Sequence, residues 1–247
     1  MIVLCLEGCH GSGKSTVLEQ FRSMGFETLS EGFMEDDKED SLSFGSLPPQ
    51  CLISECRWLN NWMSRLMRVS EARPPAQAQA PLHNLPDRVL ITDRSPYTAV
   101  CYAGSQGDIL EPVISAQIRE AYSLRGIEIY TAHLVVEPER LWGRICERLA
   151  REPERKVLQE GSRHHMDAIR SWYDKFRFDL EVENEGDLRS VAAKLLASLS
   201  DLRQSRASSA SSTPKPAQRG AFGSAVKSAA ATGESPTTVM MDSWFQG

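Results

Sequence analysis

Apolar positions near the start of the chain follow two different periods. The run Ile2-Val3-Leu4-Cys5-Leu6 is unbroken, as in a strand covered on both faces, and after a glycine-rich interval Val17, Leu18 and Phe21 recur at helical spacing. The same switch of period repeats downstream. Strands are predicted near 2–6, 26–31, 88–93, 129–136 and 178–183, with helices near 14–24, 50–70, 111–125, 138–151, 163–177 and 187–201. On the second helix, Leu52, Cys56, Leu59, Met63, Leu66 and Met67 trace one apolar stripe, while Trp58 and Trp62, four apart, suit either the core or a substrate wall. Strands alternating with helices imply an α/β fold in which a five-stranded parallel sheet carries helices on both faces.

Two stretches break the pattern. Residues 72–87, ARPPAQAQAPLHNLPD, are rich in proline and alanine and read as an irregular surface loop. From about residue 203 the chain turns to Ser, Ala, Thr, Gly and Pro with little to bury, which predicts a disordered tail over 203–247 after one catalytic domain over 1–202. The tail ends on VMMDSWFQG, locally apolar and open to reading as a peptide that docks on an unknown protein.

Composition narrows the class only a little. With 41% hydrophobic and 25% charged residues among 247, the chain has enough apolar material for a full α/β core. The net charge of −5 argues against a nucleic-acid groove; the tail carries +3 and the remainder −8. Neither a leader peptide nor an apolar run of membrane-spanning length is evident, so the expected setting is soluble and cytoplasmic, with no membrane partner. The six cysteines form no C-x-x-C pair and read as reduced thiols. His164-His165 reads as a solvated helix face, since adjacent helical residues point apart.

The interval behind the first strand changes the picture. EGCHGSGKST, residues 7–16, contains Gly8, then four residues, then Gly13-Lys14-Ser15, the spacing of a phosphate loop (P-loop). Gly8, Gly11 and Gly13 allow backbone amides to curl around a phosphate chain, with His10 and Ser12 between them. Lys14 is expected along the outer phosphates, Ser15 on Mg²⁺, and Thr16 as a cap or packing residue of the helix whose dipole faces the anion. The motif sits at the strand-to-helix junction that this mechanism requires, and it predicts binding of a nucleoside triphosphate with Mg²⁺.

Further candidates fall at the carboxyl ends of strands, where open α/β sheets bind ligands. The second strand ends in LSEG with Glu31, which either takes the proton of an attacking hydroxyl or merely solvates the acidic loop after it. The third, RVLITDRSPY, delivers Asp93 and Arg94. A carboxylate there suits Mg²⁺, and an arginine suits phosphates; a plain surface ion pair is the alternative.

The ordered landmarks EGCHGSGKST, Ile53-Ser54-Glu55-Cys56-Arg57, VLITDRSPYTAVCYAG and VEPERLWGRICERLARE resemble the thymidylate kinase and deoxynucleoside kinase superfamily of P-loop kinases, over about residues 1–200. The resemblance implies an ATP-dependent phosphotransferase for a nucleoside monophosphate or a deoxynucleoside. It implies that Arg57 grips an acceptor monophosphate and that Asp93 and Arg94 organise Mg²⁺ and the phosphates. Arg144, Arg148 and Arg151 become lid arginines over the transferring group, and Tyr97 joins the acceptor site. Departures are equally clear. His10 stands where thymidylate kinases carry an acid in the loop, and D-R-S and Glu31 fit the nucleoside enzymes, whose base-reading glutamine is replaced near Ser54-Glu55. Arg57 points back to a monophosphate, towards which the longer likeness leans. A kinase for another small hydroxyl compound, or a nucleotide-binding switch acting through the tail, stays open. The absence of N-K-x-D weakens a GTPase reading. A homodimer is compatible with all of these.

Overall fold

The computed structural model describes residues 1–31, 51–72 and 88–210. Within them, β1 (Ile2–Glu7), β2 (Glu27–Leu29), β3 (Val89–Asp93), β4 (Glu128–Val135) and β5 (Leu180–Glu183) form one parallel sheet in the order β2-β3-β1-β4-β5. The central strand β1 pairs on one side with β3, Leu6 opposite Asp93, and on the other with β4, Glu7 opposite His133. Every residue of β1 is buried, as its unbroken apolar run demands.

The helices are α1 (Lys14–Ser23), α2 (Leu52–Glu71), α3 (Thr98–Tyr102), α4 (Leu110–Arg125), α5 (Pro138–Arg151), α6 (Arg163–Lys175) and α7 (Leu188–Ala210). Short 3-10 turns cover Gly104–Ile109 and Pro153–Leu158. The stripe on α2 packs as expected, with Leu59, Trp58, Trp62 and Leu66 buried against Val3, Leu90 and Ile114. A second cluster, Leu141, Ile145, Leu149, Met166, Ile169 and Tyr173, joins α5 to α6. Pro138 opens α5 in its first turn, and Glu137 caps it by accepting from the Arg140 amide at 2.9 Å.

The described residues up to Ser200 form one compact unit. Helix α7 runs past the expected domain boundary at 202 as far as Ala210, because the run LSDLRQSRASSA contains no glycine or proline to stop it. The rest of the tail, the acidic run after Glu31 and most of the proline-rich stretch lie outside the described residues. No helix among the described residues is long and apolar enough to cross a membrane. All six cysteines are free thiols; Cys5, Cys9 and Cys101 are buried, while Cys146 is exposed. Burial pushes the Cys9 thiol up to about 12.

Candidate active site

The phosphate loop takes the shape that its glycines allow. Gly11 has φ 81°, and a Cβ there would lie 2.7 Å from Ile145 Cγ1; Gly13 has φ 91°, and its Cβ would meet Asn184 Nδ2 at 2.6 Å. The loop is therefore pinned against both α5 and the end of β5. Asn184 completes the contact by donating from Nδ2 to Ser12 O at 2.6 Å. Lys14 is buried and curls back, donating to Gly8 O at 2.7 Å and Cys9 O at 3.2 Å. Burial first, then the charge of Arg94, hold its pKa below the ordinary lysine value, against the opposing pull of Asp93, Glu31 and Glu7. An ammonium so enclosed is ready to exchange carbonyl partners for phosphate oxygens. Thr16 is exposed on α1.

Ser15 and Asp93 meet as expected. Ser15 Oγ donates to Asp93 Oδ2 at 2.8 Å, while Asp93 Oδ1 is buried with no hydrogen-bond partner among the described residues. A hydroxyl beside an unpaired carboxylate oxygen suits a hard cation that takes its remaining ligands from water and phosphate. The residues therefore fit Mg²⁺. Among the described residues there is no larger cluster of three or more acidic, histidine or cysteine ligands.

Arg94 is buried with φ 72°, the left-handed region that few non-glycine residues adopt. Its amide donates to Leu6 O at 2.9 Å and its carbonyl accepts from Thr92 Oγ1 at 2.9 Å, which locks the turn. The guanidinium ion-pairs with Glu31, lies 5.1 Å from the Tyr102 ring centroid and reaches the hydroxyls of Tyr102 and Tyr173 at 3.4 Å each. Burial works against its charge, but Glu31, followed by the two tyrosines and Asp93, holds its pKa well above the ordinary value. Beneath this segment sits Glu7, buried, its carboxylate accepting from Ser95 N at 2.7 Å, Ser95 Oγ at 2.6 Å, Thr98 Oγ1 at 2.9 Å and Tyr173 Oη at 3.0 Å. One side chain thus ties β1, α3 and α6 together behind Asp93 and Arg94.

Beside the loop opens a cavity of about 90 Å³. Glu31, Glu55, Trp58, Thr98 and Tyr102 line it together with His10, Arg155, Leu158, Glu160 and His165. Glu55 is buried, and burial raises its pKa to about 8 against the opposing charge of Arg94. His10 stacks on His165 with ring centroids 5.7 Å apart. Burial, and then the nearby His165, Lys14, Arg148 and Arg94, lower its pKa to about 2, so it stands here as a neutral imidazole.

Several expectations change. His165 does not lie on a solvated face: it is buried at the cavity, while its neighbour His164 is exposed, as adjacent helical positions require. Tyr97 belongs to the hydrophobic core, its ring 5.2 Å from that of Phe176 and its hydroxyl 3.4 Å from Ser115 Oγ; Tyr102 occupies the cavity wall instead. Arg57 is half-buried on α2 and is not among the lining residues, which on that helix are Glu55 and Trp58. Arg144 lies over the loop, its Nη1 within 3.8 Å of the point where a Gly13 Cβ would stand, and donates to Asn184 O at 3.3 Å. Arg148 pairs with Glu160 at 2.5 Å, and Arg151 is exposed. Glu7 directly precedes the motif and could have been singled out for that. Glu55, Glu160 and Asn184 carry no local pattern, because only tertiary packing brings them to the site.

No protein-family model matches the chain, and no curated protein matches it in sequence. Among solved structures, deoxyadenosine kinase from M. mycoides with products dCMP and a flexible dCDP bound overlaps with a TM-score of 0.51 at 15% identity, covering 81% of this chain and 99% of that one. The same kinase with bound dATP gives 0.44 at 15% identity, over 81% and 99% of the two chains. A gluconokinase from Sinorhizobium meliloti 1021 gives 0.43 at 14% identity, over 84% and 97%; these two overlaps are too loose to bear weight. At such identity the likeness concerns architecture, and the chain has the fold of a P-loop kinase.

Proposed function

We propose that the protein is an ATP- and Mg²⁺-dependent phosphotransferase that moves the γ-phosphoryl group to a hydroxyl of a small acceptor, a deoxynucleoside ahead of a nucleoside monophosphate. The observation that carries this reading is the joining of two half-sites. Lys14, Ser15 and Asp93 face a phosphate loop, and the cavity beside that loop holds Glu31 against Arg94. Lys14 would bind the outer phosphate oxygens, while Ser15 and Asp93 would hold Mg²⁺, which spreads charge from the phosphates. Glu31 would accept the proton of the acceptor hydroxyl as its oxygen bonds to the γ-phosphorus; the bond from that phosphorus to the bridging oxygen breaks and ADP leaves.

The cavity lining favours a neutral acceptor. Glu31, Glu55 and Glu160 present three carboxyl groups; Arg155, the lining arginine among the described residues, lies against Glu152 and Glu160, and Arg94 behind the wall is paired with Glu31. A dianionic monophosphate would add negative charge beside the three carboxyl groups that this wall presents among the described residues. The test is ADP release by the purified protein with ATP and Mg²⁺ against deoxynucleosides, nucleoside monophosphates and unrelated hydroxyl compounds. Turnover is expected with at least one deoxynucleoside, and Lys14→Ala should reduce it about a hundredfold or more while the melting temperature stays within a few degrees. No ADP above background with any acceptor would overturn the reading.

A further inference from the structure

Glu160 is enclosed, with its side chain 7% exposed, and each of its oxygens meets a different arginine: Oε2 takes Arg148 Nη2 at 2.5 Å and Oε1 takes Arg155 Nη1 at 3.3 Å. The two guanidiniums come from different elements, α5 and the 3-10 turn after it, and Arg155 is also paired with Glu152. Placed side by side without a carboxylate between them they would repel; Glu160 fixes their spacing and, among the described residues, leaves most of their five donors each unspent. They are also near the loop. Arg155 and Glu160 share the cavity wall with His10, whose proton affinity is depressed in part by the charge of Arg148.

We propose that Arg155 is a second phosphoryl-holding arginine beside Arg148, and that Glu160 is the positioning residue that presents both to the group in transfer. The inference rests on the kinase reading above. Two donors aimed at the equatorial oxygens matter most when charge moves between donor and acceptor, so their misplacement slows the chemical step more than it weakens ground-state binding. A carboxylate serving only to join α5 to the following turn would affect stability and leave this balance untouched.

The experiment measures kcat, KM for ATP and for the best acceptor, and melting temperature for wild type, Glu160→Gln, Arg155→Gln, Arg148→Gln/Arg155→Gln, and the latter pair combined with Glu160→Gln. Glu160→Gln and Arg155→Gln should each lower kcat about tenfold or more with both KM values within about threefold. In the double-arginine background, Glu160→Gln should cost less than about twofold, because the groups it positions are gone. An unchanged kcat in Arg155→Gln, or the same loss from Glu160→Gln in both backgrounds, would overturn the inference while an active wild type kept the kinase reading intact. A wild type inactive with every acceptor would remove both. Arg155→Gln leaves the Arg148–Glu160 pair in place, so it decides the matter even if Glu160→Gln folds poorly.

Discussion

Glu31 and Arg57 make opposite chemical demands, which allows single substitutions to separate the two acceptor classes. A neutral hydroxyl must lose a proton on attack, so with a deoxynucleoside Glu31→Gln should lower kcat on the order of a hundredfold while Arg57→Ala stays within about threefold. With a monophosphate acceptor, Arg57→Ala should raise its KM strongly and Glu31→Gln should be milder. Steady-state kinetics with both acceptors read the difference; normal kinetics in both variants would remove both residues from the site. Glu55 makes a separate demand, on pH. Its folded-state pKa, about 8, lies above the ordinary 4.5, because burial penalises the carboxylate. The folded state therefore holds this proton more tightly, and the resulting stability is complete below about pH 4.5 and lost as pH rises through 8. Glu55→Gln should lose less melting temperature than wild type between pH 5 and pH 9. Parallel curves across that window would show that the buried carboxylate ionises without cost.

Among the elements, the last helix gives the plainest test. Residues 204–208 of α7 are exposed, and the composition beyond them offers little to bury. Truncation after Leu202 should leave both melting temperature and turnover nearly unchanged; a drop of more than about 5 °C would show that the removed segment packs on the rest. The strands and long helices were legible because each is a local period of apolar residues, β1 and α2 most clearly. The short helix α3 was not, since five residues after Ser95-Pro96 are too few to show a period and read as a turn. The site divides along the same line. The phosphate loop, Ser15, Asp93 and Arg94 could be read because a contiguous motif or a strand end carries them. Glu55, Tyr102, Glu160, His165 and Asn184 are placed by packing between elements far apart in sequence. For the His164-His165 pair, the helical rule gave opposite directions correctly, but the position of α6 decided which ring turned inward.

At the scale of the whole molecule, the parallel sheet places the loop after β1, the Glu31 end of β2 and the Asp93-Arg94 end of β3 at one edge, as the strand-end rule anticipates. That order also constrains the history of each molecule. The central strand is made first, yet Ile2 must wait for Val89 on one flank and Glu128 on the other. Pairings so distant in sequence carry a large loop-closure cost and fold slowly. A nascent chain emerging from a ribosome therefore exposes its most apolar strand throughout the synthesis of the segment between, a window in which a chaperone has a reason to bind. A fragment ending at Arg125 should show no cooperative melting transition and rapid proteolysis throughout, whereas one ending at Ser200 should melt cooperatively; a protease-resistant β1 in the shorter fragment would show that the centre of the sheet forms without its second neighbour.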